Sequence, residues 1–210
     1  ESGYFIGVDI KRSSLNIGLV NFNGEMVDAQ VNIPYIFENS MAGLTALCEH
    51  IKKFIENLEI DCSKILNICV NVSGRVNPDS GYSYSWFNFS EDPLSQVMSE
   101  MIGYPVCVDN DTRAMTYGEF MKGKAKSYKN VLFVNASWGI GLGMILDGKI
   151  YLGKSGFAGE FGHIHFYDNQ VICHCGKKGC LETEASGQAV CRKLIERVKK
   201  GEISVLSEDI

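Results

Sequence analysis

The sequence predicts an α/β fold of two lobes, and three observations carry that prediction. Residues 4–33 read as three short strands separated by turn signals, the segment 65–72 (ILNICVNV) is an almost continuous apolar run of strand length, and stretches with apolar residues at helical spacing lie between such runs. With 210 residues, 45% of them hydrophobic, the chain can bury a substantial core.

Taken in order, YFIGVDI (4–10), LNIGLVN (15–21) and EMVDAQVNI (25–33) are expected to form an antiparallel meander, with Asn23-Gly24 as its second hairpin turn. A helix follows over about 39–58, where Met41, Leu44, Leu47, Ile51, Phe54, Ile55 and Leu58 recur on one face behind Asn39 or Ser40 as cap. It should cover one face of the sheet. The run at 65–72 reads as a buried parallel strand, and PVCV (105–108) as a shorter one after a helix near 93–103. A helix over 111–123 leads to strands at 130–135 and 140–146, with Asp147-Gly148 turning into 149–152. Leu181, Ala185, Ala189, Leu194, Ile195 and Val198 then define one amphipathic helix from Cys180 to about Lys200, ended by Gly201. The expected division is a first lobe over 1–123 and a partial second lobe over 124–210.

Composition narrows the function. A formal net charge of −5 counts against a nucleic-acid surface on this chain, because phosphate binding needs a basic patch. Of eight cysteines, Cys48, Cys62, Cys69, Cys107 and Cys191 fall within apolar helical or strand patterns, so a reducing cytoplasm is the simpler expectation. No apolar stretch has the length of a membrane helix, and the N-terminal ESGYFIGVDI lacks a signal core. The absence of an initiating methionine points to a fragment. Lys177-Lys178 and Arg192-Lys193 read as solvated charges.

The most informative stretch is GFAGEFGHIHFYDNQVICHCGKKGCLE, Gly156 to Glu182. His163, Cys173, Cys175 and Cys180 supply one imidazole and three thiols, a soft set suited to tetrahedral zinc with no position left for water. Such a closed set predicts a structural ion that helps to fold a glycine-rich loop. Gly176 and Gly179 would allow the positive-φ turns that wrap a Cys-x-Cys-x4-Cys loop around an ion. His165 and His174 are rival imidazoles for the fourth position, His174 being expected to point away. Asn110-Asp111 offers a second candidate site, since it lies where a buried strand ends and a helix starts. Open α/β sheets bind ligands at such places, although either residue could simply cap the helix.

GFAGEFGH followed by CHCG and GCLE resembles the signature of the ROK family, which groups bacterial repressors, reading frames and sugar kinases. The antiparallel hairpins followed by crossover strands likewise match the ribonuclease-H-like half-domain of the actin, Hsp70 and sugar kinase superfamily, as that resemblance implies. The second lobe is then truncated. The resemblance assigns zinc to His163, Cys173, Cys175 and Cys180, and sugar hydroxyls to Glu160, His163 and Glu182. It makes Asp111 the general base of the kinases, with Asn110 holding a neighbouring hydroxyl. Ser73-Gly74-Arg75-Val76-Asn77 resembles the loop that closes over the sugar, with Ser73 in place of a proline.

Both phosphate turns implied by the resemblance are altered. The first reads Asp9-Ile10-Lys11-Arg12-Ser13, where Asp9 is a possible magnesium contact but Lys11 and Arg12 replace glycines. The second, expected as Gly-Thr-Gly-x-Gly, reads Ser137-Trp138-Gly139-Ile140-Gly141-Leu142-Gly143, with Trp138 where a small hydroxyl residue belongs. An intact sugar and zinc half beside an altered phosphate half implies a sensor. The expectation is the effector domain of a ROK-type transcriptional repressor, of N-acetylglucosamine or xylose repressor character. It would bind a hexose, N-acetylhexosamine or sugar phosphate between two lobes, act as a homodimer, and meet DNA only through an upstream segment absent from this sequence. The alternative is a hexose or N-acetylhexosamine kinase using ATP, magnesium and Asp111. A zinc-stabilised oligomerisation domain with a relic pocket is the third.

Overall fold

A computed structural model describes residues 3–205; the outermost residues of the two expected lobes, 1–2 and 206–210, lie outside the description. Strands β1 (Tyr4–Ile10), β2 (Ser14–Asn21) and β3 (Met26–Pro34) form the expected antiparallel meander. Gly24 at φ 71° turns the second hairpin. The Asn21 side chain stabilises that turn by accepting the N–H groups of Asn23 and Glu25. Helix α1 (Met41–Glu56) follows, and of its two candidate caps Ser40 does the capping, accepting the Gly43 N–H at 3.0 Å. Asn39 instead accepts the N–H of Phe87 at 2.8 Å.

Strand β4 (Ile65–Val72) pairs with β1 in parallel, and β7 (Val106–Asn110) pairs in parallel with β4. Between them come the short hairpin β5 (Val76–Asn77) and β6 (Tyr82–Ser83) and helix α2 (Leu94–Ile102). The sheet order is β3-β2-β1-β4-β7. Val8 of β1, Ile17 of β2, Val70 of β4 and Val108 of β7 bury one face of this sheet with Leu44, Leu47, Ile51 and Phe54 of α1 and Met98 of α2. Alternate residues Gly7, Asn16, Cys69 and Cys107 project to the opposite face.

After β7 the chain enters α3 (Asp111–Lys122), then β8 (Val131–Ala136), β9 (Ile140–Leu146) and β10 (Lys149–Ile150), an antiparallel sheet of order β10-β9-β8. The single helix expected from Cys180 to Lys200 is interrupted. It forms α4 (Glu182–Ala185) and α5 (Gly187–Lys199), separated by Ser186 in extended conformation. Apolar spacing does not mark this break, which is made by Ser186, whose Oγ caps the new helix by accepting the Ala189 N–H at 3.2 Å. The Gly187 and Gln188 N–H groups leave the helical ladder and donate to the carbonyls of Ser137 and Trp138.

Two compact units are present, one holding the chain up to Met115 with Leu152–Phe157, the other Thr116–Tyr151 with the chain from Ala158. The division falls inside α3, whereas the sequence placed it after residue 123, and the segment Leu152–Phe157 rejoins the first unit. Cys62 also departs from expectation, since it lies in a 3-10 turn, and Cys191 is exposed on α5. No helix among the described residues is long and apolar enough to cross a membrane.

Ile51 is fully buried between sheet and helix, so Ile51→Ala should destabilise the first unit by about 2–5 kcal/mol in denaturant unfolding. Alkali should act on the same core. Burial pushes the Cys48 thiol up to about 11 and the Tyr35 phenol up to about 12, and the Tyr35 hydroxyl donates to the Gly43 carbonyl. The unfolded chain therefore loses these protons first, and the stability they contribute is complete below about pH 9 and lost as pH rises through 11 to 12. The unfolding midpoint should fall across that window, and Tyr35→Phe should flatten its upper part.

Candidate functional site

In the second unit, His163 ends a 3-10 turn (Phe161–His163), and Cys173, Cys175 and Cys180 come from the loop that precedes α4. The loop closes on itself: Cys173 N–H donates to the Lys177 carbonyl and Gly176 N–H to the Cys173 carbonyl. Gly176 at φ 86° and Gly179 at φ 72° take the left-handed turns that the spacing demands. At Gly179 a side chain would also strike the Tyr167 carbonyl, 2.1 Å from an added Cβ.

The four donor atoms lie within 4.8 Å of one another. Cys175 Sγ is 3.7 Å from Cys180 Sγ, and His163 Nδ1 is 3.4 Å from Cys173 Sγ. Tetrahedral zinc with bonds of about 2.3 Å to sulfur has S···S edges of about 3.8 Å, so these residues fit the ion in chemistry and in spacing. Burial holds the His163 imidazole below its ordinary pKa, favouring the neutral form that ligates a metal, while Glu182 pulls the other way. Burial likewise pushes the Cys173 thiol up to about 12. Any metal must displace such protons, so its affinity weakens as pH falls. His165 stands apart from the donors, its Nδ1 3.2 Å from the Lys178 carbonyl. His174 turns toward Glu182, with Nδ1 at 3.2 Å from Oε1.

His163 presents its second nitrogen, Nε2, to Glu160 Oε2 at 3.9 Å. Glu160 is exposed, whereas Glu182 is buried and both its oxygens are engaged, Oε1 by His174 and Oε2 by the Ile140 N–H at 2.8 Å. Burial disfavours the Glu182 charge, yet His174 and the Ile140 N–H outweigh it and hold the carboxyl below its ordinary pKa. The same hydrogen bond raises His174 above the usual imidazole value. A cavity of about 480 Å³ is walled by Trp138, Ile172, His174, Glu182 and Ile195, and Glu160 lies outside it.

In the first unit, Asn110 and Asp111 divide the work that the sequence left open between capping and ligand contact. Asn110 Oδ1 caps α3 by accepting the Arg113 N–H at 3.0 Å, while its Nδ2 donates to the Gly74 carbonyl at 2.9 Å and to Asp111 Oδ1 at 3.1 Å. Asp111 Oδ2 accepts the Ser73 hydroxyl at 2.5 Å and Oδ1 accepts the Thr112 N–H. Ser73, Gly74, Asn110 and Asp111 thus form one hydrogen-bonded group. The carboxylate is fixed and remains partly accessible.

The altered phosphate turns are occupied by their own backbone. Lys11 N–H donates to the Ser14 carbonyl, and the carbonyls of Arg12 and Ser13 accept from Phe37 and Tyr35. Asp9 Oδ2 accepts from Asn16 Nδ2 at 3.1 Å. Ser137 and Trp138 give their carbonyls to the start of α5. Gly139 backs onto Glu182, whose Oε2 would be 2.6 Å from an added Cβ, and Gly143 lies against Thr116. Close packing therefore accounts for both glycines without a phosphate.

Sequence reasoning missed two groups. Arg113 is almost wholly buried: its Nε donates to Asp109 Oδ1 at 2.7 Å, Nη2 to the Val76 carbonyl at 2.9 Å, and Nη1 to the Gly156 carbonyl. An arginine two residues after the Asn110-Asp111 pair was the available signal. The aromatic run Tyr82, Tyr84, Trp86, Phe87 and Phe89 was the other; Trp86 packs edge-on against Phe37 with ring centres 5.2 Å apart. Of the paired lysines and arginines, Lys177, Lys178 and Lys193 are exposed as expected and Arg192 is half-buried, yet they also have protein partners. Lys177 donates to the His163 carbonyl, and Arg192 and Lys193 both reach Glu184.

Residues 5–209 match the ROK family. The chain is 31% identical to a glucokinase of Halalkalibacterium halodurans over 98% of this chain and 63% of that protein, and 30% identical to a xylose repressor of Bacillus subtilis over 95% and 52%. Among solved structures, a ROK family transcriptional regulator homologous to the E. coli MLC protein superposes with a TM-score of 0.77 at 30% identity, covering 98% of this chain and 52% of that one. A ROK family glucokinase from Streptomyces griseus, in complex with glucose and AMPPNP, gives 0.78 at 27% identity, covering 94% and 62%. This chain belongs to the ROK family, and its fold is the α/β fold of the actin, Hsp70 and sugar kinase type. It spans roughly half to two thirds of the length of these relatives.

Arg113→Ala would leave Asp109 and two buried carbonyls without their donor, and should destabilise the first unit by about 3–5 kcal/mol in denaturant unfolding. Gly139→Ala should displace the Glu182 carboxylate and weaken the Ile140 hydrogen bond, seen as faster amide exchange at Ile140.

Proposed function

We propose that this chain is the sugar-sensing effector domain of a ROK-type transcriptional repressor, binding a hexose, an N-acetylhexosamine or its phosphate. The observation that carries the reading is the contrast between two kinds of site. Asp111 with Asn110 and Ser73, and Glu160 with His163, offer fixed acceptors and donors suited to vicinal hydroxyls. The turns that would cradle nucleotide phosphates hold bulky or charged side chains, and the N–H groups of Lys11, Ser137 and Ile140 already donate to protein acceptors. Phosphoryl transfer depends on positioning and charge stabilisation at those turns. A sugar site without them supports sensing rather than turnover.

Zinc belongs to the same reading. His163, Cys173, Cys175 and Cys180 would hold it as a structural ion that contributes folding free energy to a loop with little core of its own. His163 would face the ion through Nδ1 and Glu160 through Nε2, so the loop that is ordered by metal also aims a sugar contact. Sugar would act by favouring one conformation of a homodimer, with DNA met by a segment outside this sequence and the protein working in the cytoplasm.

The kinase reading draws on one specific observation, the Ser73–Asp111 hydrogen bond that holds a partly accessible carboxylate in place for proton abstraction, with magnesium and ATP required and Asp9 as a metal contact. Thermal unfolding of the complete protein against hexoses, N-acetylhexosamines and their 6-phosphates, with and without ATP and magnesium, separates the two. A sensor should gain stability with one sugar, about 2.7 kcal/mol at a hundredfold excess over Kd, with no ADP released. ADP release that is lost on Asp111→Asn would establish the kinase instead. Metal analysis should find one zinc per chain; Cys175→Ser should lose it and lower the unfolding midpoint, and an unchanged midpoint would rule out a structural ion.

A further inference from the structure

Gly74 brings an indole into the first unit's candidate sugar group. At φ 84° it takes a backbone conformation that favours glycine, and an added Cβ would lie 2.5 Å from Ser85 Oγ and 3.7 Å from Trp86 Nε1. The Gly74 carbonyl is held by Asn110 Nδ2, and its neighbour Ser73 by Asp111. Trp86 is therefore beside the residues that fix the Asp111 carboxylate, within one unit of the molecule.

The indole is held from several sides. Ser85 Oγ accepts the Arg75 N–H at 2.9 Å, Ser83 Oγ accepts the Trp86 N–H at 3.3 Å, the ring meets Phe37 at an interplanar angle of 81°, and Asn39 Oδ1 fixes the following residue. Its one polar side-chain atom is left over. Nε1–H is a donor that cannot accept, and among the described residues no protein acceptor meets it. Trp86 is half-buried, so this N–H stays open to a ligand acceptor. The acceptors that surround Asp111 are complementary: the carboxylate takes hydrogens from a ligand, and the indole gives one.

We propose that Trp86 contacts the carbohydrate and helps to determine specificity, its Nε1–H donating to one hydroxyl oxygen of a sugar held at Ser73, Gly74, Asn110 and Asp111. This rests on the carbohydrate-binding reading above and adds to it a donor that sets which hydroxyl pattern fits. A fixed donor rejects a sugar with no oxygen at that position, because the N–H is then left unpaired.

The test uses the complete protein and whichever of D-glucose, D-xylose, N-acetylglucosamine and N-acetylmannosamine stabilises it, together with monodeoxy analogues of that sugar. Trp86→Phe keeps an aromatic ring against Phe37 and removes the N–H; affinity should fall about tenfold, the scale of one lost hydrogen bond. That deficit should vanish for one deoxy analogue only. An equal deficit against every analogue, or an unchanged affinity, overturns the proposal while sugar binding stands. Should no sugar stabilise the wild-type protein, the carbohydrate reading fails and this proposal with it. Should Trp86→Phe not fold, fluorescence decides. The chain has two tryptophans, so Trp138→Phe isolates Trp86; sugar-dependent change in its emission supports the contact, and unchanged emission under saturating sugar overturns it.

Discussion

The buried guanidinium of Arg113 is the interaction on which the first unit's site depends. A cation removed from water must find an anion and acceptors for its remaining hydrogens, or its burial is severely unfavourable. Asp109 supplies the charge, and the carbonyls of Val76 and Gly156 complete the set. Because Asp109 is the penultimate residue of β7 and Arg113 sits in the first turn of α3, the pair fixes the strand-to-helix corner where Asn110 and Asp111 lie. Through Val76 the same group ties down the hairpin that follows the Ser73-Gly74 loop. A local electrostatic requirement thus sets the position of the candidate sugar contacts.

The meander, the buried strand β4 and helices α1 to α3 were legible in the sequence because each rests on a periodicity that the chain itself displays. The interruption at Ser186 was not, since its cause is the acceptance of α5's first N–H groups by Ser137 and Trp138, carbonyls distant in sequence. The thiol cluster was legible for the opposite reason: its residues are near neighbours whose chemistry is unusual. The partners of His165 and His174 could not be read from spacing, because they depend on which carbonyl or carboxylate each imidazole reaches. Trp86 escaped notice because its relevance lies in its distance to Gly74.

Glycines at 139 and 143 illustrate how one residue type serves two ends. In a phosphate turn a missing side chain lets backbone N–H groups approach an anion; here the space opposite each glycine is filled by Glu182 or Thr116. Glu182 in turn is committed to the Ile140 N–H and His174, so the carboxylate links the turn to the thiol loop. At both glycines the space left by the missing side chain is taken by protein atoms.

The return of Leu152–Phe157 to the first unit makes that unit discontinuous along the chain. The Gly156 carbonyl that receives Arg113 is drawn from this excursion, as is Phe157, whose ring stands edge-on to Tyr84 at 5.2 Å. Cutting the polypeptide after α3, the natural place by sequence, would therefore deprive the excised piece of an acceptor for its buried cation and of an aromatic neighbour. The meander and its helices are contiguous in the chain, but the fold they form is completed only after the polypeptide has already begun the second unit.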